Sequence, residues 1–195
     1  SVAVGTGVAG STDFSSRMEG AKVYPDRRWN TLFVGGSDQW LTPGGARNFD
    51  ARTMFFYAAT VNTPAMAAAV PGAGSQLASS SLDADGNAFD GNKTYVLRVP
   101  PQVPVKDFWS VALYDTQTRS LLQTDQRFPS LSSSTKPQAN ADGSVDVYFS
   151  PKRPANGGNW VQTVPGKSWF AIFRLYGPLQ PWFDKSWKLS DIERM

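Results

Sequence analysis

The chain contains no cysteine and no histidine. Together these absences exclude structural zinc sites, thiol nucleophiles, histidine-based catalytic triads and haem held by His or Cys. Any catalysis falls to Asp, Glu, Tyr, Lys, Arg, Ser or Thr, and any metal must be a hard, oxygen-ligated cation such as Ca²⁺. Glutamate is almost missing as well, with only Glu19 and Glu193. No apolar run reaches the length of a membrane span. Basic residues number 19 against 16 acidic ones and never run beyond pairs such as Arg27-Arg28 and Lys152-Arg153. So mild and scattered an excess does not point to nucleic acid. Ser1–Thr12 also lacks the charged start and continuous apolar centre of a signal peptide. The chain is therefore expected to be a processed product or a fragment, and its small-residue, Cys-free composition suits an exported bacterial protein.

What is present is aromatic and punctuated. Aromatics make up 13% of the 195 residues, with seven Trp and twelve Phe, alongside 14 Pro and 17 Gly. Large aromatics favour pleated, half-buried surfaces, and the turn residues favour short strands over long helices. Such a length fits one domain with a real core.

Residues 1–46 read as an extended arm followed by an irregular segment carrying Tyr24, Trp29, Phe33 and Trp40. A single β domain is expected over 47–195. At about 48–70 the spacing of Met54, Ala58 and Val61, with Asp50 as cap, predicts a helix. Thr63-Pro64 restarts a second, with Pro at its first position. Arg52 and Tyr57 are expected as polar anchors of this pair onto the sheet.

Alternation predicts strands at Tyr95–Val99, Phe108–Tyr114, Val145–Phe149 and Trp169–Tyr176. Apolar residues on both faces make Phe108–Tyr114 a central strand. The turn after it is expected to be closed by an Asp115–Arg119 ion pair, and Arg174, inside an apolar run, must be paired or reach a cleft. Asp142-Gly143 is a turn dipeptide. The acidic loop at Asp83, Asp85, Asn87 and Asp90 has two readings. It is either a Ca²⁺ site, although its Gly is misplaced for an EF-hand loop and the closing Glu is absent, or a turn held by Asx hydrogen bonds. The pattern predicts a mostly β protein, an antiparallel β-sandwich of jelly-roll type with a short helical pair packed on one side.

Several motifs along the chain carry a family resemblance. They include Asp83-Ala84-Asp85-Gly86-Asn87, Phe108-Trp109-Ser110-Val111, Leu113-Tyr114-Asp115, Thr118-Arg119 and Asn159-Trp160. Pro165-Gly166-Lys167, Arg174-Leu175-Tyr176-Gly177-Pro178 and Trp187-Lys188-Leu189 continue the series. From about Leu82 to Glu193 the chain resembles the bacterial domain of unknown function 1214, usually the C-terminal half of exported proteins that also carry domain of unknown function 1254. The resemblance implies a jelly-roll sandwich and no activity.

Two functions follow as expectations. One is a non-catalytic exported module that binds a carbohydrate or protein partner, or assembles with itself as a homo-oligomer, without a cofactor. It is motivated by Trp29, Trp40, Trp160, Trp182 and Trp187, which would stack on a ligand if exposed. The other is a carboxylate-dependent hydrolase of a polysaccharide or similar polymer, drawing on Asp107, Asp115, Asp146 or Asp184. The expected ligand site combines Trp109, Tyr114, Arg119, Asn159, Trp160 and Arg174.

Overall fold

The structure is a computed structural model that describes residues 18–42, 44–58, 62–155 and 157–195. The expected arm over residues 1–16, Val61 and the side chain of Tyr57 lie outside the described residues. Two sheets dominate. The first is fully antiparallel, in the order β1 (Asn30–Thr31), β2 (Ser75–Ser80), β8 (Trp169–Tyr176), β4 (Trp109–Asp115), β5 (Ser130–Ser132). The second runs β7 (Asn159–Gln162), β6 (Val145–Ser150), β3 (Tyr95–Val99), β9 (Ile192–Arg194), and its β6–β7 pair is parallel. The protein is therefore mostly β, with three short helices among the described residues: α1 (Phe49–Ala58), α2 (Pro64–Ala67) and α3 (Gln180–Phe183).

Side-chain parity explains the layering. Successive strand residues point to opposite faces. Trp169, Ala171, Phe173 and Leu175 of β8 and Trp109, Val111 and Leu113 of β4 therefore join the main core. They share it with Tyr95, Leu97 and Val99 of β3 and Val147 and Phe149 of β6. Phe170 and Ile172, on the other face of β8, enter a second cluster with Leu77, Phe33, Trp40, Met54 and Phe55. Both faces of β8 are thus covered, which is why it reads as the most apolar strand and lies in the middle of its sheet.

Trp169 anchors the main core. Its ring stacks on Phe89 at 4.0 Å and 7° and meets Tyr95 edge-on and Phe149 at a tilt. Its indole N–H is buried without an acceptor. Beside it the backbones of two loops touch. Gly91 donates to Lys167 O at 2.8 Å, Thr163 Oγ1 donates to Gly91 O, and a Cβ at residue 91 would stand 1.9 Å from Val164 O.

The sequence places the four long strands within one residue of their ends, but other expectations change. Asn48, not Asp50, caps α1, its Oδ1 accepting from the Ala51 N–H at 2.9 Å. The side chain of Thr63 makes no capping bond, and α2 spans only one turn. Arg52 is exposed rather than anchored on the sheet. The aromatics of the segment before α1 pack into the protein, with Tyr24 and Trp29 fully buried in the main core.

The turn after β4 is built differently from expectation. Asp115, 4% exposed, pairs with Lys167 Nζ at 2.5 Å rather than with Arg119. Its other oxygen accepts from the N–H groups of Gln117 and Thr118. Burial pushes this carboxyl upward, but the lysine and the two N–H donors outweigh it and hold it below its ordinary value. Its contribution to stability is therefore present above the ordinary carboxylate range and lost as pH falls through the depressed value. Replacing Asp115 by Ala should cost about 2 kcal/mol, since the part-buried N–H bonds of Gln117 and Thr118 lose their charged acceptor while the half-exposed Lys167 recovers water. Urea unfolding at neutral pH checks this, and the penalty should shrink in acid.

Candidate functional site

The six residues expected to form one ligand site fall into three places. Tyr114 and Arg174 lie on the outer face of the five-stranded sheet, where Arg174 Nη2 donates to Tyr114 Oη at 2.6 Å and lies over its ring. Tyr114 stacks on Phe170, its cross-strand neighbour, and the guanidinium of Arg119 sits over that same ring at 5.0 Å. Tyr114, Arg119 and Arg174 therefore form one cation–aromatic ladder, and the half-buried Arg174 finds a partner, as expected. Trp109 does not join them. It points into the main core and stacks on Phe173.

Asn159 and Trp160 lie in the other sheet. The Asn159 amide donates to Gln138 O and Asp146 O and accepts from Gln138 N, while Trp160 Nε1 donates to Ser150 O. These bonds pin β7 to its neighbours. Of the five tryptophans expected to be available for stacking, Trp29, Trp40, Trp182 and Trp187 are less than a tenth exposed. Their surplus is core packing, which withdraws the argument from exposed aromatics.

The acidic loop makes the side-chain hydrogen bonds of a turn. Asp83 Oδ1 accepts from the N–H of Asn87, and Asp90 Oδ1 accepts from both nitrogens of Asn92, whereas Asp85 is exposed. Among the described residues no group of three acidic side chains could hold a metal ion.

A site outside the expected set lies on the outer face of the four-stranded sheet. A cleft of about 260 Å³ is lined by Val96, Arg98, Asp146, Tyr148, Asp191 and Glu193, with Ser190 and Met195 at its end. Register creates it. Arg98 of β3 lies opposite Asp146 of β6, and Val96 lies between Tyr148 on one side and Glu193 of β9 on the other. One ring and one branched aliphatic thus form a floor between charged groups drawn from three strands.

The charges of the cleft are individually set. Arg98 donates to Asp142 at 2.8 Å, and the Asp142 carboxyl is drawn down to about 2, first by the Ser144 hydroxyl and N–H, then by Arg98. Asp191 goes the other way. Burial raises it, against the Arg28 N–H bond at 2.7 Å and the charges of Arg27, Arg28 and Lys22. The cleft therefore sets a carboxyl held above its ordinary value beside two further acidic side chains, an arginine and a tyrosine.

Comparison with known proteins gives the chain a family match without assigning it a role. A family profile described as "Protein of unknown function (DUF1214)" matches residues 74–180. No curated protein matches the chain. The crystal structure of the VPA0106 protein from Vibrio parahaemolyticus is similar over 98% of this chain, with a TM-score of 0.59 and 21% identity. This chain spans 43% of that protein's length. An uncharacterised protein from Burkholderia cenocepacia aligns over all of this chain and 49% of its own, at 16% identity and a TM-score of 0.42.

Proposed function

We propose, for a chain that belongs to the DUF1214 family, that it is a non-catalytic binding module whose ligand is a neutral carbohydrate, held in the cleft above Val96 and Tyr148. The single observation that carries this reading is the composition of that cleft. A tyrosine and an aliphatic floor offer an apolar platform to a sugar ring, while Arg98, Asp146, Ser190 and Glu193 offer donors and acceptors at its rim. Carbohydrate binding draws on both elements, since hydroxyl edges need fixed polar partners and ring faces need aromatic or apolar contact. The two sheets over one core are read as a jelly-roll sandwich, a scaffold that carries such clefts on its outer faces. In this reading the module is exported, and it works as one half of a longer protein, as its share of the Vibrio chain suggests.

Saturation-transfer NMR with a panel of soluble neutral oligosaccharides tests the proposal. At least one oligosaccharide should bind saturably, and Tyr148→Ala should weaken it about tenfold, the loss of one stacked ring. Tyr148 is only half-buried, so its truncation leaves the core intact. Absence of binding across the panel, or equal binding by the variant, would sink the reading.

A second reading, hydrolysis of a carbohydrate polymer, is favoured by one observation: burial raises Asp191 beside two other carboxylates in the same cleft. Asp191 would protonate the leaving oxygen while Asp146 takes a proton from the attacking water. Asp191→Asn, which keeps an acceptor for the Arg28 N–H, should then abolish release of reducing ends and retain binding. A wild-type protein that binds oligosaccharide and releases none leaves the binding module as the function.

A further inference from the structure

A second concavity, on the opposite side of the molecule from the main core's four-stranded sheet, has a different character. It is a recess of about 220 Å³ beside α1, lined by Gln39, Trp40, Arg47, Arg52, Phe56 and Asn62. Its aromatic wall is preassembled. Trp40 packs against Phe56 at 5.4 Å and against Phe55 at 5.2 Å, and it is stacked on Phe33 behind. Phe56 remains 44% exposed although it is in contact with a core tryptophan.

Three further observations point to a ligand. First, among the described residues neither Arg47 nor Arg52 has a carboxylate partner, although both line the recess. Arg52 lies over the Phe56 ring at 5.8 Å, so its charge is turned toward the aromatic wall. Second, Trp40 holds a left-handed backbone with φ 53, a conformation costly for a bulky residue and retained only where the surroundings enforce it. Third, the side-chain amides of Gln39 and Asn62 line the same recess beside the two arginines. The recess thus carries an excess of donors and positive charge around a flat apolar surface, and an arginine fork matches a carboxylate bidentately.

We infer that this recess is a binding site for a small aryl carboxylate, with the ring against Phe56 and Trp40 and the carboxylate between Arg47 and Arg52. Its volume lies below that of drug-sized pockets, which suits a single-ring ligand. The site is separate from the cleft of the four-stranded sheet and does not depend on its reading.

Phenylacetate, titrated into the ¹⁵N-labelled protein and followed by two-dimensional NMR, is the test. It should shift the side-chain amides of Gln39 and Asn62 saturably. Arg52→Ala should weaken binding about tenfold, the loss of one charge-assisted pair. Phe56→Ala should weaken it too. Both side chains are exposed, and a well-dispersed spectrum shows each variant folded. Two controls decide the chemistry. Phenylacetamide, which lacks the charge, and inorganic phosphate, which lacks the ring, should each bind at least about tenfold more weakly than phenylacetate. Absence of a saturable shift overturns the inference. So does either control matching phenylacetate, or an Arg52→Ala protein that binds as the original does.

Discussion

Truncating Trp169 to alanine should cost about 4 kcal/mol, while Trp169→Phe should cost less than half as much. The alanine figure follows from where the ring lies. It is fully buried and touches Phe89, Tyr95 and Phe149, which come from a loop and two strands of the other sheet. Removing it leaves a cavity that β8 cannot close without moving away from both neighbours in its sheet. The phenylalanine figure rests on the indole N–H, which is buried without an acceptor. A buried unpaired donor carries a desolvation penalty of about 1–3 kcal/mol, and phenylalanine removes the donor with most of the ring retained. Urea denaturation of the two variants measures both values. Equal losses for Ala and Phe would mean that the second ring of the indole, and not the general filling of the site, supplies the stability.

The second large effect is expected at Gly91. Alanine there should destabilise the protein by on the order of 4 kcal/mol, at the severe end of single substitutions. Its Cβ would stand 1.9 Å from Val164 O and 2.7 Å from Lys167 O, and both obstacles are backbone, not flexible side-chain ends. The strand-like close approach cannot relax cheaply. The Gly91 N–H bonds Lys167 O, the Gly91 carbonyl accepts from Thr163, and Lys167 is tied to Asp115. Opening the contact therefore strains the start of β8 and the turn after β4 together. Gly166→Ala is the informative control, because no atom stands within 4 Å of its Cβ position and only its positive φ is affected. It should cost about 1 kcal/mol. A Gly91→Ala loss no larger than that of the control would show that the 164–167 turn moves freely.

The strands that the sequence disclosed are those with a strong period. Tyr95–Val99 and Trp169–Tyr176 match β3 and β8 at both ends, and β4 and β6 differ by one residue. β2 escaped because its sequence, Ser-Gln-Leu-Ala-Ser-Ser, is mostly polar. It is a strand because β8 lies beside it and presents a full row of partners. β5 and β9, three residues each, carry no pattern that outweighs loop chemistry and exist only by pairing.

The candidate site was less legible for two distinct reasons. Trp109 and Tyr114 are five positions apart on one strand, an odd number, so they cannot share a face. That exclusion was available from spacing alone, and the aromatic character of Trp109 obscured it. The cleft was inaccessible for a deeper reason. Val96, Arg98, Asp146, Tyr148 and Glu193 lie far apart in sequence and meet only through the register of β9, β3 and β6. Outward-facing polar residues on a strand look like an ordinary solvated face until their neighbours are known. The Tyr114–Arg174 pairing, by contrast, was foreshadowed, because an arginine inside an apolar strand had to find a partner.

The strand order has a kinetic consequence. In the five-stranded sheet β2 and β4 are not neighbours, and β8 alone joins them. Until residues 169–176 have been made and positioned, the two halves of that sheet have no common partner, and Ala78 and Val111 have no strand between them to complete their layer. In the second sheet, β3 likewise waits for β6 on one side and β9 on the other. Loop closure over such distances must precede most of the pairing energy, which places the protein among slow folders, in the millisecond-to-second range, on the order seen for non-local β topologies. A nascent chain would carry β2 and β4 each with one edge open until β8 had been made, so that β8 acts as the clasp of the sheet.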